Sequence, residues 1–354
     1  MKSPIRIVLW YAALLAGMSY AAVRLTGAGT LLRHAAAVKP YAPIFQTAGA
    51  LCEAASEDRG IIVFLGDSSV SQPPWADPGA PGIPALLQAE LGGTGECMVA
   101  DWSYPAATFF DYYCLLFEAR RYSPSVVIIP INWRNLGPLS WERAKPPAFP
   151  ELSAAVPLTG AGTPSDLLDS KGIGVTQRLV APAHRPMLYL TGLRGLARTK
   201  AGFESDRGSF PRDKMPSPGE LAALLSDARL FSLYAPVQPG DEQVEALCQI
   251  ARAARPGGPR LLFYMTPIHM EEMRKRSARA AEAVLESTDA VAALLVAEGA
   301  ECVNLAGILS ECEFIDTAEH YTAEGNRKIA RALAPAVRGM LTPAALSADY
   351  ADPR

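Results

Sequence analysis

The sequence has little of what metal or nucleic-acid chemistry needs. It holds four histidines in 354 residues, none in an HExxH pattern. Its six cysteines (Cys52, Cys97, Cys114, Cys248, Cys302, Cys312) form no CxxC pair. Without those spacings no zinc site, and by extension no metal or other cofactor, is expected. The net charge is −3 and no block of five like charges occurs. Phosphate binding needs clustered Lys and Arg, so nucleic acid is excluded as the main partner. There is no G-x-S-x-G elbow, which disfavours the α/β-hydrolase route to a nucleophilic serine. The cysteines are expected as buried free thiols. Cys302–Cys312 is the local pair best placed for a disulfide, relevant only to an exported domain.

What is present is apolar and loop-forming. Hydrophobic residues make up 49% of the chain, enough for a sizeable core. The run "IVLWYAALLAGMSYAAV", 7–23, carries no charge and lies between Lys2, Arg6 and Arg24. At about 1.5 Å per residue it just spans a hydrocarbon core of about 30 Å if the flanking basic side chains snorkel. It exceeds the usual signal-peptide apolar core of about 7–15 residues. The expectation is an uncleaved transmembrane helix within 1–25, with a cleaved signal peptide and a buried core helix as alternatives. A short basic start before a long domain suggests membrane attachment with the domain outside the cytoplasm, in the periplasm.

Residues 26–58 read as a stalk and lead-in helix, and 59–345 as the main domain. Within it, apolar β-like runs at 60–65, 97–101, 126–131, 260–265 and 301–305 alternate with helix-like runs at 84–91, 108–121 and 270–298. A last helix follows on "TAEGNRKIARALAPAV". Strands alternating with helices call for a parallel sheet covered on both faces. The region 133–259 interrupts this pattern as a large insertion. It has a Pro/Gly-rich half and helical patterns at 218–230 and 241–254, and such connections are usually functional. In sheets of this kind ligands bind beyond the carboxyl ends of the strands. Polar features stand there: Gly66-Asp67-Ser68-Ser69, Ser103 to Thr108, Asn132, Thr266 to His269, and "FIDTAEHYTAEGN" with Asp316 and His320.

On these residues the chain resembles the SGNH (GDSL-like) hydrolases. "VFLGDSS" is similar to their first block, "SYPAAT" to the second, "VVIIPINW" to the third and "DTAEHYTAEGNRKIA" to the fifth. The resemblance runs from about 60 to 341, apart from the insertion. It implies a three-layer α/β sandwich with a central parallel five-stranded sheet, the flavodoxin-like SGNH fold. It also implies Ser68 as nucleophile, His320 as base and Asp316 as acid, with Ser68, Ala106 and Asn132 donating to an oxyanion. The family's second-block glycine is Ala106 here, only the asparagine of its third block remains, and the position of its acid holds Thr317. Glu319 and Glu313 therefore stand as alternative acids, and Asn135 as an alternative to Asn132.

The implied activity is hydrolysis or transfer of an ester acyl group. An exported, membrane-attached domain would suit an acetylated envelope glycan or a lipid ester as substrate. The competing reading is a non-catalytic domain that binds a glycan or scaffolds an envelope assembly. Trp75, Trp133 and Trp141 are candidates to line a sugar or acyl site, with ordinary packing the alternative. His34 reads as interfacial and His184 as an exposed loop residue. His269 reads as a solvated helix start or as a residue lining the site.

Overall fold

The β-branched and aromatic runs become one parallel sheet of five strands in the order β2-β1-β3-β4-β5. The computed structural model describes residues 4–27, 30–31, 47–57, 59–70, 80–92, 97–104, 107–136, 189–190, 193–194, 196–197, 234–254, 257–315 and 319–341. By its internal contacts the chain divides into two units, Met1–Glu57 with Phe149–Met215, and Asp58–Ala148 with Pro216–Arg354.

In the first unit the expected N-terminal helix forms as α1 (Pro4–Thr26), and α2 (Ala48–Ser56) lies in the lead-in segment. α1 leaves Trp10, Tyr11, Leu14, Met18, Tyr20 and Leu25 exposed. The Arg24 guanidinium lies 5.5 Å from the Tyr20 ring centroid and its Nε donates to the Tyr20 hydroxyl at 3.0 Å. Among the described residues no helix is long and apolar enough to cross a membrane, so the transmembrane span expected within 1–25 has no support.

In the second unit the strands are β1 (Gly60–Gly66), β2 (Cys97–Ser103), β3 (Val126–Ile131), β4 (Arg260–Met265) and β5 (Glu301–Asn304). Successive side chains of a strand point to opposite faces. Ile62, Phe64, Val126, Ile128, Leu262 and Tyr264 pack in one cluster with residues of α3 (Ile83–Glu90) and α8 (Ala323–Leu341). The alternating residues Ile61, Val63, Leu65, Val127, Ile129, Leu261 and Phe263 are equally buried. Three helices cover that side: α4 (Phe109–Ala119) against β1, α7 (Ala278–Ala297) against β4 and β5, and α5 (Glu242–Ala253) against α4 and α7. Burial on both faces is what the continuous apolar runs required. The order 2-1-3-4-5 places the reversal of strand order between β1 and β3, where doubly wound sheets open a crevice.

Two local expectations change. The single helix expected over 270–298 is two, α6 (Met270–Arg276) and α7, broken at Ser277. Ser277 has extended backbone and its hydroxyl accepts from the Ala280 N–H at 3.2 Å. Serine competes for the backbone in this way and so prefers a cap to a helix interior. All six cysteines are free; Cys97, Cys114 and Cys248 are buried, whereas Cys52 and Cys312 are exposed. The helix expected over 218–230 lies outside the described residues.

Among the glycines required by close approach, two lie in the segments that carry the candidate site. A Cβ at Gly66 would stand 2.6 Å from Val70 Cγ2, and one at Gly325 would stand 2.8 Å from the Glu313 carbonyl oxygen. Overpacking of this kind costs about 1–3 kcal/mol. Gly66→Ala is expected to lower the urea midpoint accordingly. An unchanged midpoint in Gly66→Ala would refute the contact.

Candidate active site

β1 runs into a turn built by Asp67. Its Oδ1 accepts from the Ser69 N–H at 2.8 Å, and its carbonyl accepts from the Val70 N–H at 3.2 Å. Aspartate makes such turns because its short side chain reaches the backbone two residues on. The turn separates the two serines. Ser69 is 3% exposed and its hydroxyl makes no hydrogen bond among the described residues. Ser68 is half-buried, and among the described residues neither its N–H nor its hydroxyl is engaged. Of the two, Ser68 is the one a ligand can reach.

Asp67 is itself buried, and its second oxygen faces Asn132, whose Nδ2 donates at 3.4 Å. This contact bridges the ends of β1 and β3 at the reversal of strand order. Asn132 is also buried; its Oδ1 accepts from the Arg134 backbone N–H at 3.2 Å and from Arg134 Nε at 3.3 Å. The amide thus holds the short 3-10 turn Trp133–Asn135 against the sheet, with one Nδ2 hydrogen beyond the Asp67 contact. Asn135 lies inside that turn, its N–H on the Asn132 carbonyl at 2.9 Å. Trp133 is buried, with its indole N–H on the Ala235 carbonyl at 3.1 Å, so it packs the return of the insertion and presents no sugar-binding face. Trp75, Trp141, His34 and His184 lie outside the described residues.

At the end of β4 the Thr266 hydroxyl lies 3.0 Å from the Ile131 carbonyl and also makes a short hydrogen bond with Glu319 Oε2. The loop that carries His320 is folded back on itself. Phe314 pairs with Tyr321, the Ile315 N–H donates to the His320 carbonyl at 2.9 Å, and the Thr322 N–H donates to the Glu313 carbonyl at 2.9 Å. The Thr322 hydroxyl then accepts from the Gly325 N–H at 3.2 Å where α8 begins. The Phe314 ring lies tilted over His269 at 4.6 Å and meets Tyr321 edge-to-face at 5.6 Å. His269 Nδ1 accepts from the Glu272 N–H at 3.3 Å, so this histidine starts α6 as expected.

Of the residues expected to act, Ser68, Asn132 and His320 stand at carboxyl ends of the sheet's strands or in the loop that leads back to it. Asp316 and Ala106 lie outside the described residues. Ser68 and His320 each adjoin a member of one buried chain of polar contacts, Asp67–Asn132–Arg134–Glu319, closed by Arg134 Nε at 4.0 Å from Glu319 Oε1. Glu313 has another job: it binds Lys328 at 2.7 Å and accepts from the Ser310 N–H at 2.8 Å. Arg134 and Tyr234 were invisible to sequence reasoning, and Thr266 was legible only as a polar residue at a strand end. Thr108, at the end of "SYPAAT", proves to cap α4 in a reciprocal pair with Asp111.

Burial dominates the electrostatics. Glu319 is 1% exposed. Desolvation pushes its carboxyl up to about 7; Asp67 adds to this, while Arg134, Thr266 and Tyr234 oppose it. The Tyr264 and Tyr321 phenols are raised well above their ordinary value by the same desolvation, with Glu319 adding to both.

No protein-family model matches the sequence, and no curated protein matches it. Among solved structures the chain is similar to a carbohydrate acetylesterase family member from Sinorhizobium meliloti, with 12% identity and a TM-score of 0.36 over 80% of this chain and 99% of that one. It is also similar to an inhibitor-bound aryl esterase of M. smegmatis, with 14% identity and a TM-score of 0.36 over 80% and 100%. A third is LAE5, an alpha/beta hydrolase from the metagenome of Lake Arreo, with 13% identity and a TM-score of 0.38 over 80% and 96%. Likenesses at these scores carry no functional argument, which rests on the site itself.

The raised Glu319 value has a consequence for stability. A carboxyl lifted from 4.5 to about 7 holds a proton in the folded chain that the unfolded chain has released. Stability therefore falls as pH rises between those values and levels off above them. Glu319→Gln is expected to remove that part of the slope, seen in urea unfolding at about pH 5 and about pH 8. Parallel curves for the two proteins would contradict the burial of an ionisable Glu319.

Proposed function

We propose that the second unit performs acyl-ester chemistry, with Ser68 as nucleophile, His320 as base and Asp316 as the acid behind it. One observation carries this reading. An accessible serine, on a turn whose other serine is buried, adjoins the same buried polar chain as the histidine loop, at the carboxyl ends of the strands. A serine hydroxyl attacks only if a base takes its proton. In the proposed cycle His320 takes the Ser68 proton as Oγ bonds to the ester carbonyl carbon. The tetrahedral oxyanion is held by the N–H groups of Ser68 and Ala106 and the free Nδ2 hydrogen of Asn132. Each such donor is worth on the order of 3 kcal/mol in related hydrolytic chemistry. Collapse breaks the ester C–O bond, and the leaving alcohol takes the proton from His320. A second hydroxyl, from water or a sugar, then gives its proton to His320 as it attacks the acyl-serine; the acyl C–Oγ bond breaks and Oγ takes that proton back from His320, which restores Ser68. Asp316 would orient the imidazole and stabilise its cation.

For substrate we propose an acetylated glycan or lipid ester, acted on by hydrolysis or acyl transfer. For location we propose membrane attachment through the N-terminal segment, with the domain outside the cytoplasm. The exposed aromatic and aliphatic side chains of α1 support attachment, since such surface is stable against lipid and not against water. The full chain is then expected in the membrane fraction after a high-salt wash; recovery in the soluble fraction would contradict attachment.

A fluorophosphonate probe tests the chemistry. Wild type and Ser69→Ala should label, while Ser68→Ala should not label and should lose at least about 10⁴-fold in kcat on an aryl acetate. A folded wild type that does not label would favour the non-catalytic binding or scaffolding reading.

A further inference from the structure

We infer that Glu319 is a proton-bearing latch that positions His320: its protonated carboxyl, through Thr266, fastens the histidine loop to the ends of β3 and β4, and loss of the proton releases it. The latch's role in turnover rests on the Ser68–His320 reading; the latch itself does not.

A count of hydrogens gives the first argument. The Thr266 hydroxyl has one hydrogen, yet it lies within hydrogen-bond reach of two acceptors, the Ile131 carbonyl and Glu319 Oε2. With Glu319 protonated, its O–H donates to Thr266 and the Thr266 hydrogen goes on to Ile131. The three groups Glu319 Oε2, Thr266 Oγ1 and the Ile131 carbonyl are then joined in one direction, each hydrogen with its own acceptor. With Glu319 ionised, the single hydrogen must turn to the carboxylate and leave the Ile131 carbonyl. Among the described residues that carbonyl then keeps the Thr266 N–H alone, at 3.1 Å.

The charges around the group point the same way. Asp67, beyond β1, is buried and accepts from the Ser69 N–H and the Asn132 amide. Arg134, on the turn after β3, has its Nε on Asn132 Oδ1 at 3.3 Å and stands off Glu319 at 4.0 Å. Tyr234, Tyr264 and Tyr321 also face the carboxyl, and Tyr264 and Tyr321 stay neutral. Two carboxylates and one guanidinium leave this site one negative charge in excess; one proton on Glu319 removes it.

The backbone shows why the latch acts on His320. Glu319 sits at φ 65, a left-handed conformation that costs a non-glycine residue about 1 kcal/mol or more and persists only when its surroundings impose it. Its side chain is anchored on Thr266, one residue before the imidazole. If the carboxyl ionises, that anchoring contact changes, and the hydrogen bond from the Ile315 N–H to the His320 carbonyl lies in the same loop to feel it.

The test uses the full chain with Glu319→Gln, whose amide can donate to Thr266 as the protonated acid does, at every pH. In wild type, kcat/KM for an aryl acetate should fall above pH of about 7, where Glu319 ionises. In Glu319→Gln that fall should be absent. Thr266→Val removes the hydroxyl through which the carboxyl is fastened, so kcat/KM should be lowered below neutrality and the fall above pH of about 7 should be lost. A second readout does not depend on turnover. Amide exchange at Ile315 should be faster in wild type than in Glu319→Gln above neutrality, and equal below it. If exchange behaves so while Ser68→Ala retains activity, the latch stands and the Ser68 assignment fails. If the two proteins share one pH profile and one exchange rate, the latch is overturned. If Glu319→Gln does not fold, an unmoved profile in Thr266→Val overturns it.

Discussion

Two buried acidic side chains, Asp67 and Glu319, are linked through Asn132 and Arg134 at the carboxyl ends of the sheet, and the rest of the site is arranged around that constraint. Asp67 closes the turn after β1 and reaches Asn132 beyond β3. Asn132 takes up Arg134, and Arg134 approaches Glu319. A buried charge without partners is expensive, so each member fixes the next. The result is a polar chain that joins the two loops on which the chemistry is proposed to depend, one following the first strand and one preceding the last helix. Removing Asp67 would leave the Ser69 N–H and the Asn132 amide without their acceptor and would loosen both ends of the crevice at once.

The fold makes this convergence possible. A parallel order of 2-1-3-4-5 sets β1 beside β3 with their connections leaving in opposite senses, which opens space above them. Two glycines then let backbone come close where a side chain would interfere. Gly66 admits Val70 over the serine turn, and Gly325 admits the Glu313 carbonyl beneath the histidine loop. Both glycines belong to the motif-like segments "LGDSS" and "AEGN". Their place in those segments is steric: they seat the loops, and the polar chain holds them.

Much of the sheet was legible in the sequence because both of its faces are buried. β3 and β4 occupy the expected spans 126–131 and 260–265, since a continuous apolar run has few other uses at that length. Ser277 was missed because it stands in a stretch of good helix formers, and only its capping hydrogen bond shows the break. Ser68, Asn132 and His320 could be singled out by their position after strands and by their motifs. Arg134, Tyr234 and the role of Glu319 could not, because their partners are distant in the chain and no periodicity connects them. Glu319 is an alternative acid behind His320 on sequence grounds; its carboxyl bonds Thr266 and Tyr234 and is approached by Arg134.

The central claim is that Ser68 becomes acylated. The most direct measurement is acid quench of the full chain during turnover of an aryl acetate, followed by proteolysis and mass mapping of the peptide that spans β1 and its turn. The account predicts an acetyl group on Ser68 that disappears as substrate is exhausted. An acetyl group on Ser69, or turnover with no acylated residue at any quench time, would contradict it.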